Sequence, residues 1–85
     1  MQIVDVFAVH GRTILAVRGE ELVCGMNIRK ISTPYGVFDV LFSQVREACF
    51  VPGLITGLLT LAGQENVGRC EAEILEYDGG RQGRG

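Results

Sequence analysis

Glycine divides this chain into short segments, and that division constrains the fold more than any other feature of the sequence. Twelve glycines occur among 85 residues, and the segments between them are rich in Val, Ile, Phe and Thr. Branched and aromatic side chains favour strands, whereas glycine favours tight turns. The sequence therefore predicts six strands, over residues 3–9, 13–18, 26–31, 37–45, 54–61 and 69–77.

Two of the turns have residues suited to their geometry. The His10-Gly11-Arg12 segment predicts a hairpin between the first two strands, and Thr33-Pro34-Tyr35-Gly36 predicts a second tight turn. The segment 54–61 also fits a buried helical turn. Gly57 and the two threonines of that segment favour a strand instead.

Six short strands joined by tight turns favour a barrel, because closure removes the exposed edges of a sheet. We predict one all-β domain over residues 1–77, a six- to seven-stranded closed β-barrel with Greek-key elements. Residues 78–85 form a predicted flexible Gly/Arg tail, because they include no apolar side chain to anchor them. Alternation along the strands predicts a core that contains Phe7, Leu15, Val17, Phe38, Val40, Leu59, Ala72 and Ile74.

Composition excludes several classes of protein. A hydrophobic content of 47% excludes a disordered chain, and a net charge of -2 disfavours a strongly electrostatic nucleic-acid binder. The first twelve residues lack the basic region of a signal peptide, and the apolar stretch 54–62 is too short to cross a bilayer. The cysteines show no paired spacing that would indicate disulfides or zinc: Cys24, Cys49 and Cys70. We therefore expect a soluble protein of the reducing cytoplasm.

The order of glycines and apolar runs resembles domain 2 of the translational GTPases, the β-barrel of elongation factors Tu and G. The resemblance covers residues 3–74. In the first half it rests on Asp5-Val6-Phe7, Gly11-Arg12-Thr13-Ile14, Arg18-Gly19 and Val23-Cys24-Gly25-Met26. In the second half it rests on Pro52-Gly53-Leu54-Ile55-Thr56-Gly57-Leu58-Leu59, Gly63 and Gly68-Arg69-Cys70. It implies a barrel that contacts a protein or RNA partner.

The chain departs from that family at its acidic positions. Family members carry Asp or Glu directly after the glycine that corresponds to Gly53, whereas this chain has Leu54 there. They also carry an acidic stretch in the loop before the last glycine, where this chain has Glu65 as its single acid. In elongation factor Tu those acids help to form the pocket for the aminoacyl end of tRNA. We therefore expect no measurable affinity for aminoacylated tRNA. The chain also lacks a G-x-x-x-x-G-K-[ST] loop, so we expect no nucleotide binding.

The segment 54–61 is apolar on both strand faces, although a one-sheet barrel buries only its inner face. We expect Ile55, Gly57, Leu59 and Leu61 to face inward, which leaves an outward surface for a partner: Leu54, Thr56, Leu58 and Thr60. Secondary candidates are Glu65, Arg12, and the acids Glu71 and Glu73 of the last strand. That acidic strip is either a solvated face or a docking site for a basic partner.

No residue pattern indicates catalysis, a metal site or a cofactor. His10 lies in a turn with no identifiable nucleophile or orienting carboxylate, so it is read as a solvent-facing turn residue. A reactive thiol at Cys24 or Cys49 remains the alternative to a non-catalytic chain. Three functions stay open: a module that docks on a protein or ribonucleoprotein, an RNA-contacting accessory protein of translation, and a structural homo-oligomeric subunit.

Overall fold

A computed structural model describes residues 1–79, and these residues form strands and turns without a helix. The strands are β1 (Gln2–Val9), β2 (Arg12–Arg18), β3 (Met26–Thr33), β4 (Gly36–Glu47), β5 (Ile55–Leu61), β6 (Cys70–Glu71) and β7 (Glu73–Gly79). The all-β prediction is therefore confirmed. β7 extends two residues past the predicted domain boundary, and the remainder of the predicted tail, 80–85, lies outside the described residues.

The strands form one antiparallel sheet in the order β6-β1-β2-β5-β4-β3-β7. β3, β4 and β5 follow one another as a meander, and β2 lies beside β5, which is a Greek-key arrangement. β4 is long enough to pair with β3 through its first part and with β5 through its second. The sheet therefore bends along β4 and curls around its buried face.

The hairpin between β1 and β2 has the geometry that its sequence predicts. His10 and Gly11 both adopt positive φ angles, 49° and 77°. Two successive residues with positive φ make a type I′ turn, whose twist matches that of the strands on either side. Val9 consequently pairs with Arg12, and this sets the register of the first two strands.

Closure of the barrel was predicted, and the structure shows a curled half-barrel instead. The predicted strand 69–77 is split at Ala72 into β6 and β7, which lie at opposite ends of the sheet order. β6 pairs with β1 only through Gln2↔Glu71 and Ile3↔Cys70, after which the chain pairs with β3. Residues 70–79 pair first with β1 at one edge and then with β3 at the other, so they cannot pair with either strand along their whole length.

The predicted core is correct in most positions. Leu15, Val17, Leu59 and Ala72 are buried, and Phe38, Val40 and Ile74 are half-buried against them. The predicted core omitted three other fully buried side chains, Ile3, Ile28 and Ile31, whereas Leu61, which was predicted to face inward, is fully buried. Phe7 was predicted in the core and is 45% exposed.

Two β-bulges explain where the aromatic side chains lie. In β1 the register shifts between Ile3 and Asp5, so Val6 rather than Phe7 faces the buried Leu15. In β4 a shift between Val40 and Phe42 leaves Phe42 60% exposed, although alternation alone places it with Phe38 and Val40. A bulge adds one residue to one strand and so exchanges the two faces beyond it.

Candidate functional site

The predicted partner surface lies at the centre of a larger exposed face. Leu58 is 45% exposed, whereas its neighbours Gly57 and Leu59 are buried. Thr56 and Thr60 are half-buried on the same side as Leu58, and Leu54 is half-buried immediately before β5. The predicted inward and outward sides of this strand are therefore the observed ones.

Strand pairing extends this surface across four strands, and we call the result the outer face. One row of cross-strand neighbours joins Phe7, Ile14, Thr60 and Phe42. A second joins Asp5, Ala16, Leu58 and Gln44. A third joins Gln2, Arg18, Thr56 and Arg46, and Glu71 of β6 continues it beyond Gln2. Directly opposed residues in antiparallel strands have Cβ atoms about 4.5–5.5 Å apart, so each row is continuous. The first row is apolar apart from Thr60, the second combines Ala16 and Leu58 with the polar Asp5 and Gln44, and the third is basic.

Arg18 and Arg46 form the basic end of the outer face, and Glu47 lines the same surface depression as both of them. Neither Arg18 nor Arg46 forms an ion pair of 4.0 Å or less with a residue in the described part of the chain. Asp5 shares the second row, and its Oδ1 already accepts a hydrogen bond of 2.9 Å from the Val6 N–H. An unpaired guanidinium on a half-apolar surface is suited to a carboxylate or phosphate from another molecule.

The loop 48–54 forms a rim beside this basic end. Ala48 N–H donates to the Leu54 carbonyl over 2.8 Å, and Glu47 accepts from Gly53 N–H over 2.6 Å, so the loop is closed on itself. Phe50 at its tip is 95% exposed. Between the loop and the sheet lies a depression of about 500 Å³ whose lining includes Arg18, Arg46, Cys49, Leu54 and Leu58.

The secondary candidates lie in different places. Arg12 is exposed at the start of β2, opposite Val9. Glu65 is exposed in the loop 62–69, and its N–H donates to Thr13 Oγ1 over 2.8 Å, so its backbone has a structural role. Glu71 and Glu73 are exposed on β6 and β7. Within residues 1–79, Glu73 forms no ion pair, and Glu71 Oε2 lies 4.0 Å from the terminal ammonium of Met1.

Two of the three thiols are accessible. Cys24 and Cys49 are exposed, and Cys70 is half-buried, where loss of water around the thiol raises its pKa. His10 is exposed in the first hairpin turn. No cluster of three or more His, Cys, Asp or Glu side chains suited to a metal ion occurs among residues 1–79.

The aromatic and basic residues of the outer face were not found from sequence, because their position depends on the bulges and on the β2–β5 pairing. For each bulge, the sequence contains one feature that conflicts with strict alternation. Strict alternation from Ile3 would place the Asp5 carboxylate in the core, which is unfavourable. Strict alternation from Phe38 would bury Gln44 and Arg46 and expose Val45, the reverse of what their side chains favour.

Comparisons with protein-family models, curated proteins and solved structures found no match. In the described part of the chain, no helix is both long and apolar enough to span a membrane.

Proposed function

We propose that this chain is a non-catalytic binding module and that its outer face docks on a protein partner. The observation that carries the proposal is the row that joins exposed Phe7 to exposed Phe42 through Ile14 and Thr60, with exposed Leu58 in the adjacent row. Single exposed apolar side chains are ordinary on soluble proteins, whereas a contiguous patch is typical of an interaction site. Phe50 adds a fully exposed aromatic side chain at the rim.

The chemistry of the outer face defines the partner that it fits. Aromatic and leucine side chains bury apolar area, and Arg18 and Arg46 offer bidentate donors to an acidic group at one end of that area. The partner segment should therefore carry apolar residues followed by a carboxylate. Docking at such a surface needs no catalytic group, cofactor or nucleotide.

The proposal includes a fold relationship to domain 2 of the translational GTPases. The order of the glycine motifs across residues 3–74 and the Greek-key order of β2 to β5 support it. Superposition of an experimental structure on those barrels tests this relationship. A strand order or handedness that differs from theirs would contradict it.

RNA contact is a second candidate, because exposed Phe7 and Phe42 lie on the same face as Arg18 and Arg46. Aromatic stacking combined with arginine is the usual chemistry of single-strand binding. Few phosphates can be neutralised by so few arginines, so we expect affinity only at low salt. Fluorescence anisotropy with a labelled oligoribonucleotide measures this directly.

Substitution of Leu58 tests the protein-binding proposal. We expect Leu58→Asp to remain folded and to lose the partners captured by the wild type, because it introduces a charge beside the row that joins Phe7 to Phe42. Val37→Asp is the matched control, since Val37 is also exposed but lies on the part of β4 that pairs with β3. Capture is repeated after ribonuclease treatment to separate protein from RNA-mediated partners. Retention of every partner by Leu58→Asp would contradict the proposal.

A further inference from the structure

The sheet does not close, so it has unpaired backbone at both of its ends. Among residues 1–79, β7 pairs with β3 alone. At the other end, β6 pairs with Gln2 and Ile3 only, and within the described chain the rest of β1 pairs with β2 alone. An unpaired strand edge is a template for a further strand, and proteins usually protect such edges with charged side chains or proline.

The two ends of the sheet differ in this protection. β7 carries three acidic side chains, and these are Glu73, Glu76 and Asp78. The last four residues of β1 are uncharged, and we call residues 6–9 the open edge: Val6, Phe7, Ala8 and Val9. All of them except Val6 are exposed, and no backbone hydrogen bond joins the open edge to a described segment other than β2. The open edge is therefore the less protected of the two.

The hairpin turn fixes which backbone groups of the open edge point away from β2. The residues that flank a two-residue turn form a hydrogen-bonded pair, and bonded and non-bonded pairs then alternate along the strands. Val9 and Arg12 flank the turn, so Ala8 and Val6 direct their N–H and C=O groups outward. Val6 N–H agrees with this assignment, because it donates over 2.9 Å to Asp5 Oδ1. Within the described chain, three outward groups keep free hydrogen-bonding capacity: Ala8 N–H, Ala8 C=O and Val6 C=O.

We infer that the open edges of two copies pair antiparallel about a two-fold axis at Phe7, so that the two sheets join into one. In this register Ala8 of each copy lies opposite Val6 of the other, and each Ala8 N–H donates to a Val6 C=O. These two hydrogen bonds form while Asp5 keeps its bond to Val6 N–H. Phe7 then lies opposite Phe7 of the second copy, and directly opposed aromatic side chains stabilise antiparallel strands.

The symmetry of the open edge favours a second copy over an unrelated strand. The same register gives every Ala8 donor an acceptor, places the larger Val6 opposite the smaller Ala8, and brings Asp5 opposite Val9 rather than opposite another acid. A two-fold contact uses the same surface on both copies, so association stops at a dimer. The inference goes beyond the proposed function, because it uses backbone groups of β1 and no side chain of β5.

Analytical ultracentrifugation of the whole chain tests the inference. The mass of the wild type should rise with concentration from the 9.2 kDa of one chain to a plateau at two chains. Ala8→Pro should remain at one chain over the same range, because proline removes the outward N–H and no bond to β2. Leu75→Pro is the matched control, since Leu75 is exposed at a bulge of β7 without a paired residue in β3, and it should form dimers like the wild type.

Ala8→Lys keeps the inference testable if the proline variant unfolds, which far-UV circular dichroism detects. Lysine retains the backbone N–H and places a charge on the open edge, so this variant should also remain at one chain. Dimers of Ala8→Lys would overturn the inference. So would a wild type that stays at one chain at every concentration or grows beyond two.

A disulfide tests the register of the paired strands. In a chain with Cys24→Ser and Cys49→Ser, which removes the exposed thiols, Phe7→Cys should form a cross-linked dimer on oxidation. Residues opposed in a non-hydrogen-bonded pair have Cα atoms about 4.5 Å apart, which a disulfide can span. Val9→Cys should remain uncross-linked, because each Val9 lies opposite Asp5 of the other copy. Equal cross-linking of the two variants, or cross-linking of Val9→Cys alone, would overturn the two-fold axis at Phe7.

Leu58→Asp separates this inference from the proposed function. It should lose the captured partners and still form dimers, because Leu58 lies on β5 and β2 lies between β5 and β1. If Leu58→Asp remains at one chain while Ala8→Pro forms dimers, the copies associate through the outer face, and pairing of the open edges is overturned.

Discussion

Leu58 and Leu59 are adjacent in β5 and face opposite ways, so truncation of each to alanine measures the same chemical change in two environments. Leu59 is fully buried between Leu15 of β2 and Ser43 of β4. Leu58 lies between Ala16 and Gln44 on the outer face and keeps 45% of its surface exposed. Both substitutions leave the backbone pairing of β5 in place.

The expected losses differ by more than the error of a stability measurement. A buried Leu→Ala substitution costs about 2–5 kcal/mol, because it removes apolar contacts and leaves a cavity. For Leu58 roughly half of the ~1.5–3 kcal/mol of full leucine burial applies, which is about 1 kcal/mol. The whole domain should have an unfolding free energy of about 4–13 kcal/mol, so Leu59→Ala removes a large share of it.

Urea unfolding followed by far-UV circular dichroism measures both variants at low protein concentration, where self-association is minimal. A difference of about 2 kcal/mol between the variants corresponds to roughly 8–16 °C in melting temperature for a domain of this size. The dependence of the unfolding free energy on urea should be the same in both, since the unfolded chains expose similar area. Equal losses for the two variants, or a larger loss for Leu58→Ala, would refute the assigned faces of β5.

Three further predictions follow from individual contacts. Gly57→Ala should lower the unfolding free energy by about 1–3 kcal/mol, because a Cβ would lie 3.2 Å from the Gln44 carbonyl oxygen and from side-chain atoms of Val17 and Val45. Gly63→Ala is the control, because its Cβ would lie at an ordinary contact distance of 3.7 Å from Glu65 Oε2. Equal losses for the two variants in urea unfolding would contradict the prediction. The terminal ammonium of Met1 donates a hydrogen bond to Glu21 and lowers the pKa of that carboxyl from its ordinary 4.5, so its stabilisation is present above pH 4.5 and is lost as the pH falls through the folded-state value. The melting-temperature difference between wild type and Glu21→Gln should therefore vanish in acid, and a difference that grows there would contradict this assignment. A maleimide followed by mass spectrometry should modify Cys70 more slowly than the two exposed thiols, because burial raises the pKa of Cys70; faster modification of Cys70 would show that its strand is open.

The sequence by itself determined the strand content, the hairpin turn and much of the core. Strand segments are local, since branched residues and glycine act within a few positions of themselves. His10 and Gly11 could be recognised as a turn for that reason, and the alternation in 54–61 assigned Leu58 and Leu59 to opposite sides. These predictions needed no knowledge of which strands pair.

Only the tertiary structure decided the outer face. The bulges at Val4 and Leu41 reverse the sides of Phe7 and Phe42, and no local propensity sets where a bulge falls. The pairing of β2 with β5 then brings Arg18 and Arg46 to either side of Thr56 from segments distant in sequence. Tertiary structure also decided that the barrel does not close, because the chain pairs with β1 before Ala72 and with β3 after it. Register and pairing depend on the fit of the whole sheet, so side-chain pattern along one strand could not specify them.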